Sequence, residues 1–304
     1  MKQLTGWLLG FIATASWGSF YIVGRWLFGE SGDEIDPFLF TFLRLVLAAA
    51  ALSPLLWMRS GRALVGQAFR CDFKAFLLIA FVGIVLETFL SFYALAFTTA
   101  ARTSLMANCS PIATVLLAFL LLHEKMPRSG LFGMGIGLAG IVLAAFSRGG
   151  DIYADTGLRS LIGDGLALAS ALCWSFFTVA GARLSKQYGG PVCMFVCFLF
   201  GAVMMLPVLP FAARGFDPAA VPPRFWFGLL YTGVVTLALA NACWYAALRY
   251  LRPGVLGAFG YLSAAITFTL SAIVLRERFT PPFILAIVLT LGGLALMLRA
   301  GKKA

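Results

Sequence analysis

One carboxylate stands where a charged side chain is costly. Glu87 lies within the apolar run VGIVLETFLSFYAL, near the middle of a stretch long enough to cross a lipid bilayer. A charge at the bilayer centre costs about 2.5–3.5 kcal/mol on insertion scales, so such a residue faces protein or water. A carboxylate there could carry a proton or contact an ammonium group. A protonated, hydrogen-bonded structural glutamate is the alternative.

Arg44 is a second charged residue inside an apolar run. It lies seven residues after Pro37, which at 1.5 Å per residue is about 10 Å below the membrane surface, whereas Glu87 is about 15 Å deep. An arginine side chain can bridge that difference. Two interpretations therefore stay open: an Arg44–Glu87 ion pair, which could take part in proton coupling, and a direct contact of Arg44 with substrate.

Two tryptophans lie at the centres of predicted spans. Trp17 and Trp174 are far from the headgroup regions where tryptophan usually collects, and each indole N–H needs a partner in a dry environment. We predict that both line a cavity; ordinary helix packing is the alternative. Thr14 and Tyr21 lie three and four residues from Trp17, on the same helical face.

Hydroxyl and amide side chains recur on the other predicted helices. Such groups are also ordinary contacts between membrane helices, worth about 0.6 kcal/mol on average, but an asparagine amide needs more partners than a hydroxyl. This polar set is Ser91, Ser104, Asn108, Ser170, Asn241, Tyr245 and Tyr261. The candidate substrate contacts are Thr14, Trp17, Tyr21, Glu87, Ser91, Asn108, Trp174, Asn241, Tyr245 and Tyr261, with Arg44 and Glu87 as a candidate ion pair or coupling pair.

Composition indicates what must position these residues. Apolar residues make up 61% of the 304 and charged residues 12%, against about 45–50% and 25% in soluble domains. The chain is therefore an integral membrane protein. Its net charge of +11 comes from short basic clusters between apolar runs, which indicates topology determinants and no nucleic-acid partner.

Apolar runs of about 20 residues predict ten membrane-spanning helices. With a cytoplasmic N-terminus, 14 basic residues fall inside and 7 outside, so we expect both termini in the cytoplasm and the chain in the bacterial inner (plasma) membrane. The spans are 4–28, 37–58, 75–97, 103–122, 130–147, 161–182, 190–212, 225–247, 254–274 and 281–299.

The chain contains an internal repeat. LLHEKM (121–126) and VLRERF (274–279) are 153 positions apart, and SWGSFYIVG around Trp17 and CWSFFTVAG around Trp174 are 157 apart. A repeat at one long period indicates a duplicated unit, which we divide into residues 1–148 and 149–304. Five spans per copy is an odd number, so the second copy must be inverted in the membrane. We expect Glu124 and Glu277, in the two joints, to have structural roles.

This pattern resembles the drug/metabolite transporter superfamily, and its EamA-type branch in particular, over essentially the whole chain. The resemblance implies two inverted five-helix repeats around a central cavity that is lined by the first, third, fourth, sixth, eighth and ninth helices. It also implies export of small metabolites, often amino acids. Pro111 in the fourth helix fits the family, but the equivalent stretch of the ninth, 260–264, has no proline.

We therefore expect an all-α secondary transporter that exports small metabolites, such as hydrophobic or aromatic amino acids, across the inner membrane by alternating access. A flippase or translocator of lipid-linked or nucleoside-type substrates is the alternative. No phosphate-binding Gly-Lys-Ser/Thr run and no nucleophile–base constellation occurs, which argues against an enzyme. Cys193 and Cys197 lack further ligands for a metal. The expected partners are a small-molecule substrate and membrane lipids, with no cofactor, and the chain as a monomer or weak homo-oligomer.

Overall fold

The computed structural model describes residues 2–28, 35–98, 100–147, 157–274 and 281–303, and every regular element in these ranges is helical. The α-helices are α1 (Lys2–Phe28), α2 (Pro37–Leu52), α3 (Arg59–Cys71), α4 (Phe73–Ala80), α5 (Glu87–Phe97), α6 (Ala100–Ala107), α7 (Ser110–Leu122), α8 (Arg128–Ser147), α9 (Leu158–Tyr188), α10 (Gly190–Met205), α11 (Leu209–Ala212), α12 (Pro223–Tyr231), α13 (Ala240–Ala247), α14 (Pro253–Gly257), α15 (Phe259–Val274) and α16 (Pro281–Lys303).

The helices account for the ten predicted spans. Within the described ranges, five helical stretches are long and apolar enough to cross a membrane and four shorter ones are apolar, while α1 extends over 27 residues. Each predicted span overlaps one of these segments, so the prediction of an all-helical membrane protein is confirmed. The five long stretches are Pro37–Trp57, Phe73–Phe97, Leu105–Leu122, Leu158–Tyr188 and Pro223–Ala247.

The third span of each repeat contains a π-helical segment. The first π segment, Phe81–Leu86, joins α4 to α5, and the second, Thr232–Leu239, joins α12 to α13. Their last residues, Leu86 and Leu239, are 153 positions apart, the same offset as the two Glu-bearing joints. π turns are rare in proteins, and those that occur are frequently found at functional sites. Both copies of the duplicated module therefore carry the same backbone irregularity.

The fourth span of each repeat is interrupted. Asn108 and Cys109 separate α6 from α7, and Pro111 stands in the first turn of α7. Proline lacks a backbone N–H and disfavours a helical residue before it, which explains a break at this point. In the second copy, Ala258 separates α14 from α15. At the 153-residue offset, this break lies three residues before the position equivalent to Asn108. The second break therefore occurs although the equivalent stretch has no proline.

The chain packs as two compact units. Unit 1 comprises Met1–Val85 and Gly181–Tyr250. Its most buried element is α10, which has Cys193, Met194 and Val196 at or near zero exposure. A Cβ on Gly190 would collide with the carbonyl of Ala242, so glycine permits α10 and α13 to approach closely. Small residues serve this purpose between membrane helices, where no hydrophobic force pulls the helices together.

Unit 2 comprises Leu86–Ala180 and Leu251–Ala304. Its tightest packing joins α8 to α16, where a Cβ on Gly293 would collide with the backbone of Gly137. Further along α8, a Cβ on Gly140 would lie 2.5 Å from Oγ1 of Thr290. This stripe of small residues brings the two helix backbones into contact.

The packing units do not follow the repeat. Unit 1 and unit 2 each contain helices from both copies of the sequence repeat. Each compact unit therefore combines helices from both halves of the sequence. The boundary of the repeat between residues 148 and 149 stays a prediction.

Candidate functional site

Two hydroxyl side chains of unit 2 meet at one carboxylate oxygen. The hydroxyls of Ser91 and Ser170 lie 3.1 and 3.2 Å from Oε1 of Glu87. The two hydroxyl oxygens are 2.7 Å apart. The two hydroxyls have two protons for three pairs of oxygen atoms that lie within hydrogen-bond distance. The hydrogen bonds can therefore rearrange by rotation of the hydroxyl groups, without any movement of heavy atoms. We call these three residues the Glu87 cluster.

The Glu87 cluster can accommodate a change of charge. An ionised carboxylate only accepts hydrogen bonds, whereas a protonated one also donates, and a serine hydroxyl can do either. The cluster is half-buried, with Ser170 almost fully enclosed. Such an arrangement suits a carboxylate that alternates between binding a proton and binding a cationic group.

The local fold explains the position of Glu87. The residue begins α5 directly after the first π segment. A π turn changes the rotation per residue, so it re-aims every side chain that follows it relative to an uninterrupted helix. Ser91 is one turn further along α5, on the same face. The carboxylate of Glu87 and the hydroxyl of Ser91 therefore both face Ser170 of α9.

Helix α9 connects the Glu87 cluster to the break in the fourth span. The hydroxyl of Ser175, five residues after Ser170, lies 3.0 Å from the carbonyl oxygen of Ser110, the first residue of α7, and 2.8 Å from that of Ala171 in its own helix, so its one proton is shared between the two carbonyls. Asn108 lies in the break itself. Trp174 stands next to Ser175, with its ring centroid 5.6 Å from that of Phe177. A broken helix beside a polar site is a recurrent feature of substrate sites in transporters.

Tyr261 has a different environment in unit 2. Its side chain is fully buried, and its hydroxyl donates to the carbonyl of Met134 over 3.1 Å. A Cβ on Gly137 would lie 2.5 Å from the Tyr261 ring. These contacts belong to the packing of α15 against α8 and are not made with the Glu87 cluster.

In unit 1, three of the candidate residues donate to the second π segment. The indole Nε1 of Trp17 binds the carbonyl of Thr236 at 2.9 Å, and the amide of Asn241 binds the carbonyl of Leu237 at 2.9 Å. The Arg44 guanidinium binds the Thr232 carbonyl at 3.3 Å and the Thr236 hydroxyl at 3.2 Å. Every backbone polar group in a bilayer must find an internal partner. These side chains therefore satisfy backbone that a π helix pairs irregularly.

This role was not evident from the sequence. Hydropathy and helical spacing predict cavity lining for Trp17 and an ion pair or substrate contact for Arg44. They do not predict the contacts with the second π segment, because neither hydropathy nor spacing reveals a π turn. The guanidinium of Arg44 also lies 4.9 Å from the ring centroid of Phe20 and 5.5 Å from that of Phe40. Cation–π contact of this kind stabilises a desolvated arginine. The Arg44–Glu87 pair stays a prediction.

The remaining candidates in unit 1 are packed or lie outside the described residues. Thr14 is fully buried and donates to the carbonyl of Gly10 over 2.9 Å, within its own helix. Tyr245 is fully buried, and its ring occupies the space where a Cβ on Gly181 would stand. The side chain of Tyr21 lies outside the described part of the chain, and so does that of Ser104 in unit 2.

An ion pair that the sequence analysis did not identify connects α6 to α9 in unit 2. Arg102 Nε donates to both oxygens of Asp164, at 3.0 and 3.2 Å, and the Thr98 hydroxyl donates to the same carboxylate at 3.3 Å. Both charged side chains are nearly buried. A signal was present: opposite charges stand at the ends of two predicted spans on one membrane face.

The first Glu-bearing joint is a helix C-terminus. His123 adopts the left-handed conformation with φ of 54° and ends α7, and the N–H of Glu124 binds the carbonyl of Ala118 at 3.1 Å, which gives one of the last carbonyls of the helix a partner. Glu124 lines a small pocket together with Met126, Arg252 and Gly254. These features fit the predicted structural role; Glu277 lies outside the described residues.

No group of three or more His, Cys, Asp or Glu side chains within the described ranges could hold a metal ion.

Comparison with known proteins identifies one family over both halves of the chain. The family model of the EamA-like transporter family matches residues 4–146 and again residues 161–299. The two matches support the duplication independently of the short motifs. A protein of known crystal structure superposes with a TM-score of 0.80 at 21% identity, covering 97% of each chain. At this identity the likeness concerns the fold.

Curated relatives are transporters. The protein named Uncharacterized transporter YetK, from Bacillus subtilis (strain 168), is 26% identical over 296 residues, 96% of this chain and 86% of its own. An Uncharacterized transporter from Archaeoglobus fulgidus is 26% identical over 277 residues, 90% and 92% of the two chains. A protein from Streptantibioticus cattleyicolor named Probable terminal-alkyne amino-acid exporter is 24% identical over 200 residues, 66% and 64% of the two chains.

Proposed function

Because this chain belongs to the EamA-like transporter family, we propose that it exports small hydrophobic or aromatic amino acids across the bacterial inner membrane by alternating access. It is a multi-pass secondary transporter and not an enzyme. The distribution of its basic residues supports cytoplasmic termini. The relative named as an amino-acid exporter supports an amino acid as the substrate class.

The observation that carries this proposal is the Glu87 cluster. An amino acid presents an ammonium group, and a carboxylate flanked by two hydroxyls can hold it through charge-assisted hydrogen bonds. The half-buried indole of Trp174, one turn after Ser170 on α9, offers apolar surface for a hydrophobic side chain. Asn108, in the helix break, supplies an amide for a carboxylate or carbonyl oxygen. Few charges and much aromatic surface suit a small amphipathic solute.

Glu87 also offers a route to proton coupling. A carboxylate that holds a proton is neutral and loses its attraction for an ammonium group, so proton and substrate compete for one site. Substrate would bind the ionised form on the cytoplasmic side and leave when a proton arrives from outside. The serine hydroxyls support both charge states because each can donate or accept. The cycle exchanges one proton for one substrate molecule.

The inverted repeat supplies the two states of the cycle. Two copies of one module with opposite orientation can adopt two nearly equivalent arrangements, each open to one side of the membrane. The duplicated family match and the π segment shared by both third spans support this interpretation.

Counterflow in proteoliposomes tests the substrate class. Vesicles are loaded with one unlabelled compound and incubated outside with traces of labelled phenylalanine, leucine, a nucleoside or a lipid-linked sugar. We expect labelled aromatic and aliphatic amino acids to accumulate and the other two to remain at background. Accumulation of the nucleoside or movement of the lipid-linked sugar, without any amino-acid counterflow, would overturn the proposal in favour of the alternative translocator class.

A further inference from the structure

A short helix that crosses no membrane lies between the second and third spans. The segment 59–71, which falls between two predicted spans, is the 13-residue helix α3. The span Pro37–Trp57 ends just before it and the span Phe73–Phe97 begins just after it. Because both neighbours cross the bilayer, α3 has to lie at one membrane surface.

One face of α3 is fixed to unit 1. Its buried residues, Gly61, Val65 and Ala68, recur at helical spacing and form a single stripe. A Cβ on Gly61 would collide with the carbonyl of Leu55, so the helix N-terminus is pressed against the end of the preceding span. The ring of Phe69 makes an edge contact of 5.2 Å with that of Phe200.

The end of α3 is held by a hydrogen-bonded carboxylate. Asp72, which follows the helix, accepts from the Tyr188 hydroxyl at 2.7 Å and from the Gln187 amide at 3.3 Å. Arg183 approaches the same carboxylate at 3.5 Å. The position of the helix is therefore set within unit 1, and its opposite face is presented outward in a defined orientation.

The outward face of α3 is basic and lies beside an exposed tryptophan. Arg59, Arg62 and Arg70 are all exposed, and so is Lys74 just beyond the helix. The one acidic residue from 59 to 74 is Asp72, whose carboxylate is engaged as described. Trp57, immediately before the helix, is 83% exposed. Tryptophan beside a basic amphipathic helix is typical of a segment in the headgroup layer.

We infer that α3 is an interfacial helix that binds anionic phospholipid headgroups, with Arg59, Arg62 and Arg70 contacting their phosphates and Trp57 anchoring it at headgroup depth. Basic residues near the cytoplasmic leaflet attract anionic lipid, and arginine presents a planar fork that matches phosphate oxygens. Topology alone requires positive charge on this loop; it does not require a fixed helix with its charges on one exposed face. None of these residues belongs to the Glu87 cluster.

Quenching of Trp57 by brominated lipid tests the inference. The protein is reconstituted in bilayers that contain a minor fraction of brominated phosphatidylglycerol or brominated phosphatidylcholine, and the Trp57 signal is taken as the difference between the native protein and Trp57→Phe. Each arginine near an anionic surface is worth about a fivefold preference. We expect the phosphatidylglycerol to quench Trp57 at least about fivefold more effectively.

The control variants separate the helix from net charge. The triple variant Arg59→Gln, Arg62→Gln, Arg70→Gln should lose the preference. Lys125→Gln, Lys186→Gln, Arg128→Gln removes as many exposed charges from other loops on the same predicted membrane face and should retain it. If the first variant does not fold, salt serves instead: at about 1 M the screening length falls to about 3 Å and the preference of the native protein should vanish. Equal quenching by both lipids, or a preference that survives either treatment, would overturn the inference.

Discussion

Glu87 and its two serines combine a charge that the bilayer disfavours with hydroxyls that suit either protonation state. The hydroxyls of Ser91 and Ser170 both reach one carboxylate oxygen, and they also reach each other. Removing one hydroxyl leaves the other in place, so the carboxylate keeps a partner. Under the proposed function we therefore expect the serines to tune substrate binding, and the carboxylate to provide the charge on which coupling depends.

Ser170→Ala should raise the KM for amino-acid transport without removing the response to a pH gradient. Because Glu87 is ionised when it holds the substrate, the hydrogen bond is one to a charged group, which contributes about 1.5–3 kcal/mol and corresponds to a roughly 10- to 150-fold rise in KM. Initial rates in proteoliposomes measure the effect, and Ser16→Ala, whose hydroxyl is exposed and bonded within α1, is the control. An unchanged KM, or a loss of gradient response equal to that of a Glu87 variant, would contradict the role given to Ser170.

Trp17→Phe should destabilise unit 1, because it removes the donor to the Thr236 carbonyl while keeping most of the aromatic surface. A buried polar group that loses its partner costs about 1–3 kcal/mol. Thermal unfolding in detergent should show a lower Tm for this variant, whereas Trp57→Phe, at an exposed position, should leave the Tm nearly unchanged. If both variants unfold like the native protein, Trp17 does not support the second π segment.

At the scale of elements, the length of the spans could be predicted and their irregularities could not. Bilayer thickness sets a run of about 20 apolar residues, which hydropathy detects. A π turn changes hydrogen bonding but not composition, so the segments Phe81–Leu86 and Thr232–Leu239 leave no such signal. Helix α3 could not be predicted for another reason. Its buried stripe contains Gly61 and Ala68, which are too small to give a hydrophobic periodicity. Pro111 is the residue in the fourth span whose chemistry disfavours a continuous helix.

Pro111→Ala tests whether the break in the fourth span matters for transport. Alanine restores a backbone N–H and removes the restriction on the preceding residue, so α6 and α7 should join more readily. We expect transport to fall while the Tm stays the same or rises. Pro54→Ala, at an exposed proline, is the matched control and should transport normally. Full activity of the Pro111 variant would show that the interruption is not required.

At the scale of the whole molecule, duplication and packing follow different divisions of the chain. The family model matches the two halves one after the other, but each compact unit draws on both. The repeat could be recognised from motif spacing, whereas the composition of the units depends on close approaches such as that at Gly190, which no pattern in one sequence indicates. We therefore expect the two halves to depend on each other for folding.

Fragments 1–148 and 149–304 should not fold separately, because neither contains a complete unit. Expressed alone, each should aggregate or be degraded; expressed together, they should copurify and show a cooperative unfolding transition. Size-exclusion chromatography in detergent and thermal unfolding measure the outcome. A fragment that is monodisperse by itself and as stable as the intact chain would refute the interdependence.

Proton-driven transport through Glu87 is the central claim, and one measurement tests it directly. Proteoliposomes with an imposed pH gradient are assayed for concentrative movement of a labelled aromatic amino acid, with the native protein and with Glu87→Gln, which has nearly the same shape but cannot ionise. We predict gradient-stimulated accumulation for the native protein and none for the variant. Equal stimulation in both would contradict the account.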